Sequence, residues 1–76
     1  MQCLADSIEL MPGYLSVNQT RQLLNISKSA LYEKVHRGTI PYVYLDGTIR
    51  FDPIRLAAWL REKEVGAERF QLPKAA

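Results

Sequence analysis

Apolar and polar positions first follow a helical period in the segment after Tyr14. Between Val17 and Leu24 this pattern predicts a short helix. Ser16 stands before it and Gln19 three residues after Ser16, the spacing of a capping box that satisfies amide donors at a helix N-terminus. Asn25 tolerates the left-handed conformation of a tight turn, so we expect the helix to end there.

A second helix is predicted from Lys28 to Arg37. Ser27 is an N-cap candidate in front of it, and Gly38 is placed to end it because glycine adopts positive φ without strain. Two short helices joined by about three residues form a helix-turn-helix motif.

The two faces of the second helix differ in chemistry. Leu31 and Val35 are four residues apart and are predicted to share an inward face with Ile26 of the turn. The polar positions recur at three and four on another face, which is free to contact a ligand. This outward stripe consists of Ser29, Tyr32, Glu33 and His36.

Residues 42–51 are predicted to form a hairpin around Asp46 and Gly47. A two-residue loop would place Val43 opposite Arg50. A three-residue loop, Leu45 to Gly47, would place Val43 opposite Ile49, with Gly47 in a bulge. We favour the three-residue loop because it collects Val43, Ile49 and Phe51 on one buried face. The other face would then hold Tyr44, Thr48 and Arg50.

A third helix, with Asp52 as N-cap and Pro53 in its first turn, is predicted to run to about Lys63 and to close the core. Its apolar positions are Leu56, Trp59 and Leu60. The breakers Pro12 and Gly13 mark residues 1–13 as an N-terminal leader, and residues 66–76 are expected to form a flexible tail. The predicted fold is a mainly α winged helix-turn-helix: the two-helix motif, a two-stranded wing and a closing helix, spanning residues 14–65.

Charge is distributed unevenly along this chain of 76 residues. The net charge is +2, but residues 1–20 carry two acidic side chains and no base, whereas residues 21–50 carry a net charge of +3. An acidic partner is therefore expected to bind the middle of the chain. No apolar run is long enough for a membrane span, so we expect a cytoplasmic protein.

The candidate chemistry argues against catalysis. Cys3 and His36 are far apart and are the chain's only cysteine and only histidine, too few ligands for a structural zinc site. The sequence also contains no glycine-rich phosphate loop and no carboxylate pair at helical spacing in an apolar setting. We therefore predict no enzyme activity, no catalytic residues, no metal and no cofactor.

The segment from Tyr14 to Glu62 resembles the excisionase-type, MerR-like family of winged helix-turn-helix proteins. The ordered motifs that carry the resemblance are Leu-Ser-Val, Leu-Leu-x-Ile-Ser, Leu-Tyr, Gly-x-Ile-Pro, Ile-Arg-Phe and Ala-Trp-Leu. Two positions depart from the family pattern. Arg21 replaces a small residue that faces the second helix, so either the helices splay or the arginine stem runs along the contact. Asn25 replaces the usual turn glycine.

The resemblance implies binding to double-stranded DNA, with the second helix in the major groove and the wing along the backbone. It assigns the outward stripe, Ser29, Tyr32, Glu33 and His36, to base edges or nearby phosphates. The implied phosphate and backbone contacts are Arg21, Ser27, Lys28, Arg37, Gly47, Thr48 and Arg50.

Several of these side chains have a structural alternative. Glu33 and Arg37 are four residues apart and can pair with each other instead of contacting DNA. Tyr32 can pack its ring on the first helix and offer only its hydroxyl. His36 can be a solvated helix residue, and Arg50 an ordinary strand residue.

The leading functional hypothesis is an excisionase, or recombination directionality factor, of a phage or mobile element, acting at the nucleoid of a prokaryotic cell. A monomer with few cations should bind DNA weakly, so self-association on DNA or contact with an integrase or recombinase is expected. The alternatives are a small phage-type transcriptional regulator, a DNA-packaging recognition module, and a protein-interaction adaptor that uses the winged fold without DNA.

Overall fold

A computed structural model describes residues 3–63 of the chain. This part contains four helices and one antiparallel sheet with strand order β1-β3-β2. In chain order the elements are α1 (Leu4–Glu9), β1 (Leu15–Ser16), α2 (Val17–Leu24), α3 (Lys28–Arg37), β2 (Val43–Leu45), β3 (Thr48–Phe51) and α4 (Pro53–Lys63). The architecture is a winged helix-turn-helix, which confirms the predicted fold class.

Local capping signals determine both helices of the helix-turn-helix, and their predicted bounds are confirmed. The Ser16 hydroxyl accepts from the Gln19 amide at 3.0 Å, and the Gln19 side chain accepts from the Ser16 amide at 2.9 Å, completing the capping box. Asn25 ends α2 with φ 57°, in the left-handed region. Ser27 caps α3 by accepting from the Ala30 amide at 3.0 Å, and Gly38 ends it with φ 71°.

The hairpin adopts the two-residue loop, so the predicted three-residue loop and its register are wrong. Val43 pairs with Arg50, Tyr44 with Ile49 and Leu45 with Thr48. Asp46 and Gly47 have φ 51° and 75°, and positive φ at both central residues is the requirement of a type I′ turn. The two-residue loop is favoured because this turn matches the right-handed twist of the two strands.

Burial does not determine the register of the hairpin, because the wing extends beyond the core. Tyr44 and Leu45 are consecutive residues on opposite faces of β2, and both are exposed. Val43 is only half-buried and shares its face with Arg50 rather than with Ile49. Alternation in burial therefore could not fix the register of this hairpin.

Residues before Tyr14 also enter the fold, although they were predicted as a leader. Helix α1 packs against α4, and its Ala5 and Ile8 are buried in the core. Arg61 of α4 donates to Asp6 at 2.6 Å and to Glu9 at 2.8 Å, which joins the two helices at the surface. A helix of six residues is too short to be stable alone, so its stability comes from this packing.

Strand β1 extends the predicted two-stranded wing to a three-stranded sheet. Leu15 pairs with Phe51 and Ser16 with Arg50. A strand of two residues is too short to show a period of two, so the sequence did not predict it. Through β1 the wing is anchored directly to the start of α2.

The core lies between the helices and the inner face of the sheet. Its fully buried side chains include Phe51, Leu31, Leu56 and Ile8. Trp59 packs against this core but is only partly buried. The predicted tail at residues 66–76 lies outside the described residues.

Candidate nucleic-acid interface

The outward stripe of α3 is exposed, as its spacing predicts. Because α3 buries Leu31 and Val35, the polar positions between them are turned to the surface. Tyr32 is 45% exposed, so its ring is not packed away against α2. The exposed side chains of this stripe are Ser29, Tyr32, Glu33 and His36.

These side chains form one wall of an open groove of about 460 Å³ between α3 and the wing. Arg37 extends the same wall, and Ile49 of β3 forms the opposite side, with Val35 between them. The groove thus combines hydroxyl, imidazole, carboxylate and guanidinium groups with an apolar floor.

Glu33 and Arg37 pair with each other in the unliganded protein. The Arg37 guanidinium donates to the Glu33 carboxylate at 3.3 Å, and both side chains are more than 60% exposed. A solvent-exposed pair of this spacing contributes only a few tenths of a kcal/mol to helix stability. The pair can therefore open at little cost when a ligand competes for either partner.

The N-terminus of α3 presents Ser27 and Lys28 to solvent. The Ser27 hydroxyl is already engaged as the N-cap, but it keeps its own O–H for donation to an acceptor. Lys28 follows directly and adds a positive charge at the same end of the helix.

At the wing, the corrected register separates residues that were predicted to act together. Gly47 and Thr48 are exposed at the tip. Arg50, by contrast, is half-buried on the face of the sheet that holds Ser16 and Val43, and it donates to the Ile49 carbonyl at 3.1 Å. Ile49, on the other face, lines the groove. The structure therefore does not bring Arg50 into the groove with α3.

Tyr44 is the surface residue that the sequence analysis misplaced. It pairs with Ile49 and so lies on the face of the wing that borders the groove, where it is 70% exposed. The signal that could have located it is the Asp46-Gly47 pair, which favours the two-residue type I′ loop.

Arg21 lies on α2, outside the groove. Its guanidinium donates to the Asn18 side chain of the same helix at 3.1 Å, at the protein surface.

Within residues 3–63, no three His, Cys, Asp or Glu side chains are grouped to hold a metal ion. None of the helices α1 to α4 is long and apolar enough to cross a membrane.

Comparison with known proteins gives one match. The sequence model of a helix-turn-helix domain family matches residues 14–64, which include α2, α3, the wing and α4. Searches of curated proteins and of solved structures found no match. The matched segment covers well over half of the chain, and it contains the groove and both of its walls. The chain belongs to this family of excisionase-type helix-turn-helix domains, a type of domain that points to DNA binding.

Proposed function

We propose that the protein binds double-stranded DNA sequence-specifically, with α3 in the major groove. The observation that carries the proposal is the exposed polar stripe of α3, which lines a groove against the wing within the matched helix-turn-helix segment. An α-helix fits the major groove, where each base pair presents a distinct pattern of donors and acceptors.

The side chains divide into three groups by position. Those of the stripe, Ser29, Tyr32, Glu33 and His36, contact base edges or adjacent phosphates. Ser27 and Lys28 at one end of α3 and Arg37 at the other bind phosphates, and Gly47 and Thr48 bring the wing tip to the backbone. Arg21 and Arg50 lie outside the groove, so we assign them long-range attraction to the duplex, within a Debye length of about 8–10 Å.

In its biological role we propose an excisionase or related recombination directionality factor that shapes DNA rather than catalyses a reaction. The family supports this role, and the interface offers few cations, which makes a single copy a weak and salt-sensitive binder. Cooperation between copies on adjacent sites, or contact with an integrase or recombinase, would supply the missing affinity. Such a protein acts in the cytoplasm of a prokaryotic cell, at the nucleoid.

A small transcriptional regulator or a packaging recognition module would use the same surface. The neighbouring gene separates these roles, because an integrase gene favours excision and a packaging ATPase gene favours packaging. A protein-interaction adaptor is separated by salt, since binding to DNA must weaken steeply as the salt concentration rises.

The test begins with selection from a library of random-sequence duplexes, followed by fluorescence anisotropy on the selected duplex over a salt series. We expect Ser29→Ala and Tyr32→Phe each to weaken binding by about 1 kcal/mol, or fivefold. The matched controls are Ser7→Ala, at an exposed position of α1, and Tyr14→Phe, at an exposed position before β1. Both should bind like the wild type. Circular dichroism verifies that each variant is folded. Selection of no preferred sequence, or affinity insensitive to salt, would rule out the proposal.

A further inference from the structure

The register of the wing places a second tyrosine on the face of the sheet that borders the groove. Tyr44 pairs with Ile49, and paired residues of an antiparallel ladder project from the same face. Ile49 lines the groove, so Tyr44 extends that face outward along the wing, toward its tip. At 70% exposure the Tyr44 ring is covered by little of the protein itself.

Tyr32 stands on the opposite wall, on α3, and is 45% exposed. Tyr32 therefore lines the groove on the α3 side, and Tyr44 lies next to Ile49 on the wing side, just beyond the residues that line the groove. Phenol hydroxyls donate hydrogen bonds to anionic oxygens, while the rings and the isoleucine offer apolar surface. This alternation of donors and apolar surface matches a chain of phosphates and deoxyriboses.

We infer that this groove holds one phosphodiester strand of the bound duplex and that Tyr44 donates a hydrogen bond to one of its phosphates. The inference rests on the proposed function, because a helix in the major groove and a wing beside it must straddle a single backbone strand. Ile49 and the tyrosine rings then contact deoxyribose. Arg50, which the sequence suggested for this position, lies on the opposite face of the sheet.

The carboxylate of Glu33 also lines the groove and must be compatible with a phosphate there. Its charge is compensated by Arg37, which uses Nη2 for the pair at 3.3 Å. A guanidinium has five N–H donors, so Arg37 can hold Glu33 and still donate to a phosphate oxygen. The strand therefore meets a neutral pair with free donors rather than an isolated anion.

The test compares four variants on the selected duplex by fluorescence anisotropy, at roughly 0.1 M salt where surface charges are screened beyond about 10 Å. Tyr44→Phe removes only the hydroxyl and should weaken binding about three- to tenfold, with Tyr44→Ala weaker still. The matched control is Tyr42→Phe, since Tyr42 lines a different cleft together with Tyr14 and Arg55. It should stay within about twofold of the wild type. The last variant is Arg50→Ala. It should change the salt dependence of DNA binding more than it changes the affinity measured at roughly 0.1 M salt.

A second measurement identifies the contact on the DNA. Single methylphosphonates, which replace one anionic phosphate oxygen by a methyl group, are placed at each position of the duplex in turn. At one backbone position the diastereomer that replaces the contacted oxygen should weaken binding by the wild type but leave binding by Tyr44→Phe almost unchanged, because both changes remove the same hydrogen bond.

The outcomes separate the two proposals. If Tyr44→Phe and Tyr44→Ala bind the selected duplex like the wild type, or if no methylphosphonate couples to Tyr44, the assignment of the groove is overturned and the proposed function stands. If the wild type itself selects no duplex, the proposed function fails, and the assignment of the groove fails with it. Circular dichroism keeps these outcomes apart from unfolding, which is not expected at so exposed a side chain.

Discussion

The indole Nε1 of Trp59 donates a hydrogen bond to the carbonyl oxygen of Thr39 at 2.7 Å, across 20 residues of sequence. Thr39 in turn donates through its amide, at 3.0 Å, and its hydroxyl, at 3.2 Å, to the Lys34 carbonyl near the end of α3. The closing helix is thereby tied to the end of the helix that we propose to enter DNA. The Lys63 ammonium lies over the Trp59 ring, 5.3 Å from its centre.

Replacing Trp59 by phenylalanine should therefore destabilise the fold. Trp59→Phe keeps an aromatic ring in the site but removes this donor from the exposed Thr39 carbonyl, which we expect to cost about 1 kcal/mol of unfolding free energy. Urea denaturation followed by circular dichroism measures the change, because the substitution removes the chain's one tryptophan as a fluorophore. Tyr14→Phe, at an exposed ring, is the control, and a stability equal to that of the wild type would contradict the role of the bond.

Thr20 offers a stabilising substitution. It is fully buried in α2, and its hydroxyl has no hydrogen-bond partner among the described residues. Thr20→Val replaces that hydroxyl by a methyl group of similar size and should raise the free energy of unfolding by about 1 kcal/mol.

Thr20→Ser is the matched control for that experiment. It keeps the hydroxyl and removes the methyl group, so it should lower the stability by about 1 kcal/mol. If Thr20→Val is less stable than Thr20→Ser in urea denaturation, the Thr20 hydroxyl has a hydrogen-bond partner in solution.

The turn of the wing should depend on Gly47 for conformational reasons alone. Gly47 has φ 75°, and a Cβ added to it would meet no atom within 4 Å. Gly47→Ala should therefore cost about 1–2 kcal/mol from the left-handed backbone and nothing from a clash. Gly13 also has open space around it but no positive φ, so Gly13→Ala should be close to neutral. Equal thermal stability of the two variants would argue against the type I′ turn.

The ion pair between Asp6 of α1 and Arg61 of α4 should be lost in acid. Hydrogen bonding to Arg61 lowers the pKa of Asp6, and hydrogen bonding to Glu9 and Asp6 raises the pKa of Arg61, which stays charged throughout. A carboxyl whose pKa is lowered by folding stabilises the protein above its unfolded pKa, near 3.9, and loses this contribution as the pH falls through its folded pKa.

Asp6→Asn tests this dependence. The variant should be less stable than the wild type at pH 7, and the difference in thermal midpoint should shrink below about pH 4 and vanish at lower pH. Ser7→Ala, on the same helix, should show a pH dependence like that of the wild type. If the difference in thermal midpoint between Asp6→Asn and the wild type stays constant down to pH 2, the ion pair is not the cause of that difference.

Glu33 should limit binding to unselected DNA. Glu33→Gln removes an anion from the groove and frees Arg37, so affinity for random duplexes should rise by about 0.5 kcal/mol, or twofold. Discrimination between the selected and random duplexes should fall, if Glu33 accepts from a base. The stability of α3 should change by only a few tenths of a kcal/mol. Weaker binding of random duplexes by the variant would contradict this role.

The helix-turn-helix was determined by the sequence itself. The capping box of Ser16 and Gln19, the Ser27 cap and the left-handed ends at Asn25 and Gly38 act over three or four residues. Such signals are complete within the local sequence, which is why the bounds of α2 and α3 were predicted correctly. The exposed stripe of α3 followed from the same helical period.

Only the tertiary structure decided which face of the wing meets the groove and what covers α4. Cross-strand pairing depends on the turn conformation, which the Asp46-Gly47 pair favours, and on how far the core extends under the hairpin, which no local pattern shows. Tyr44 therefore borders the groove where the sequence suggested Arg50. Helix α1, too short to be stable alone, forms because Ala5 and Ile8 bury against the core and Arg61 binds its two carboxylates.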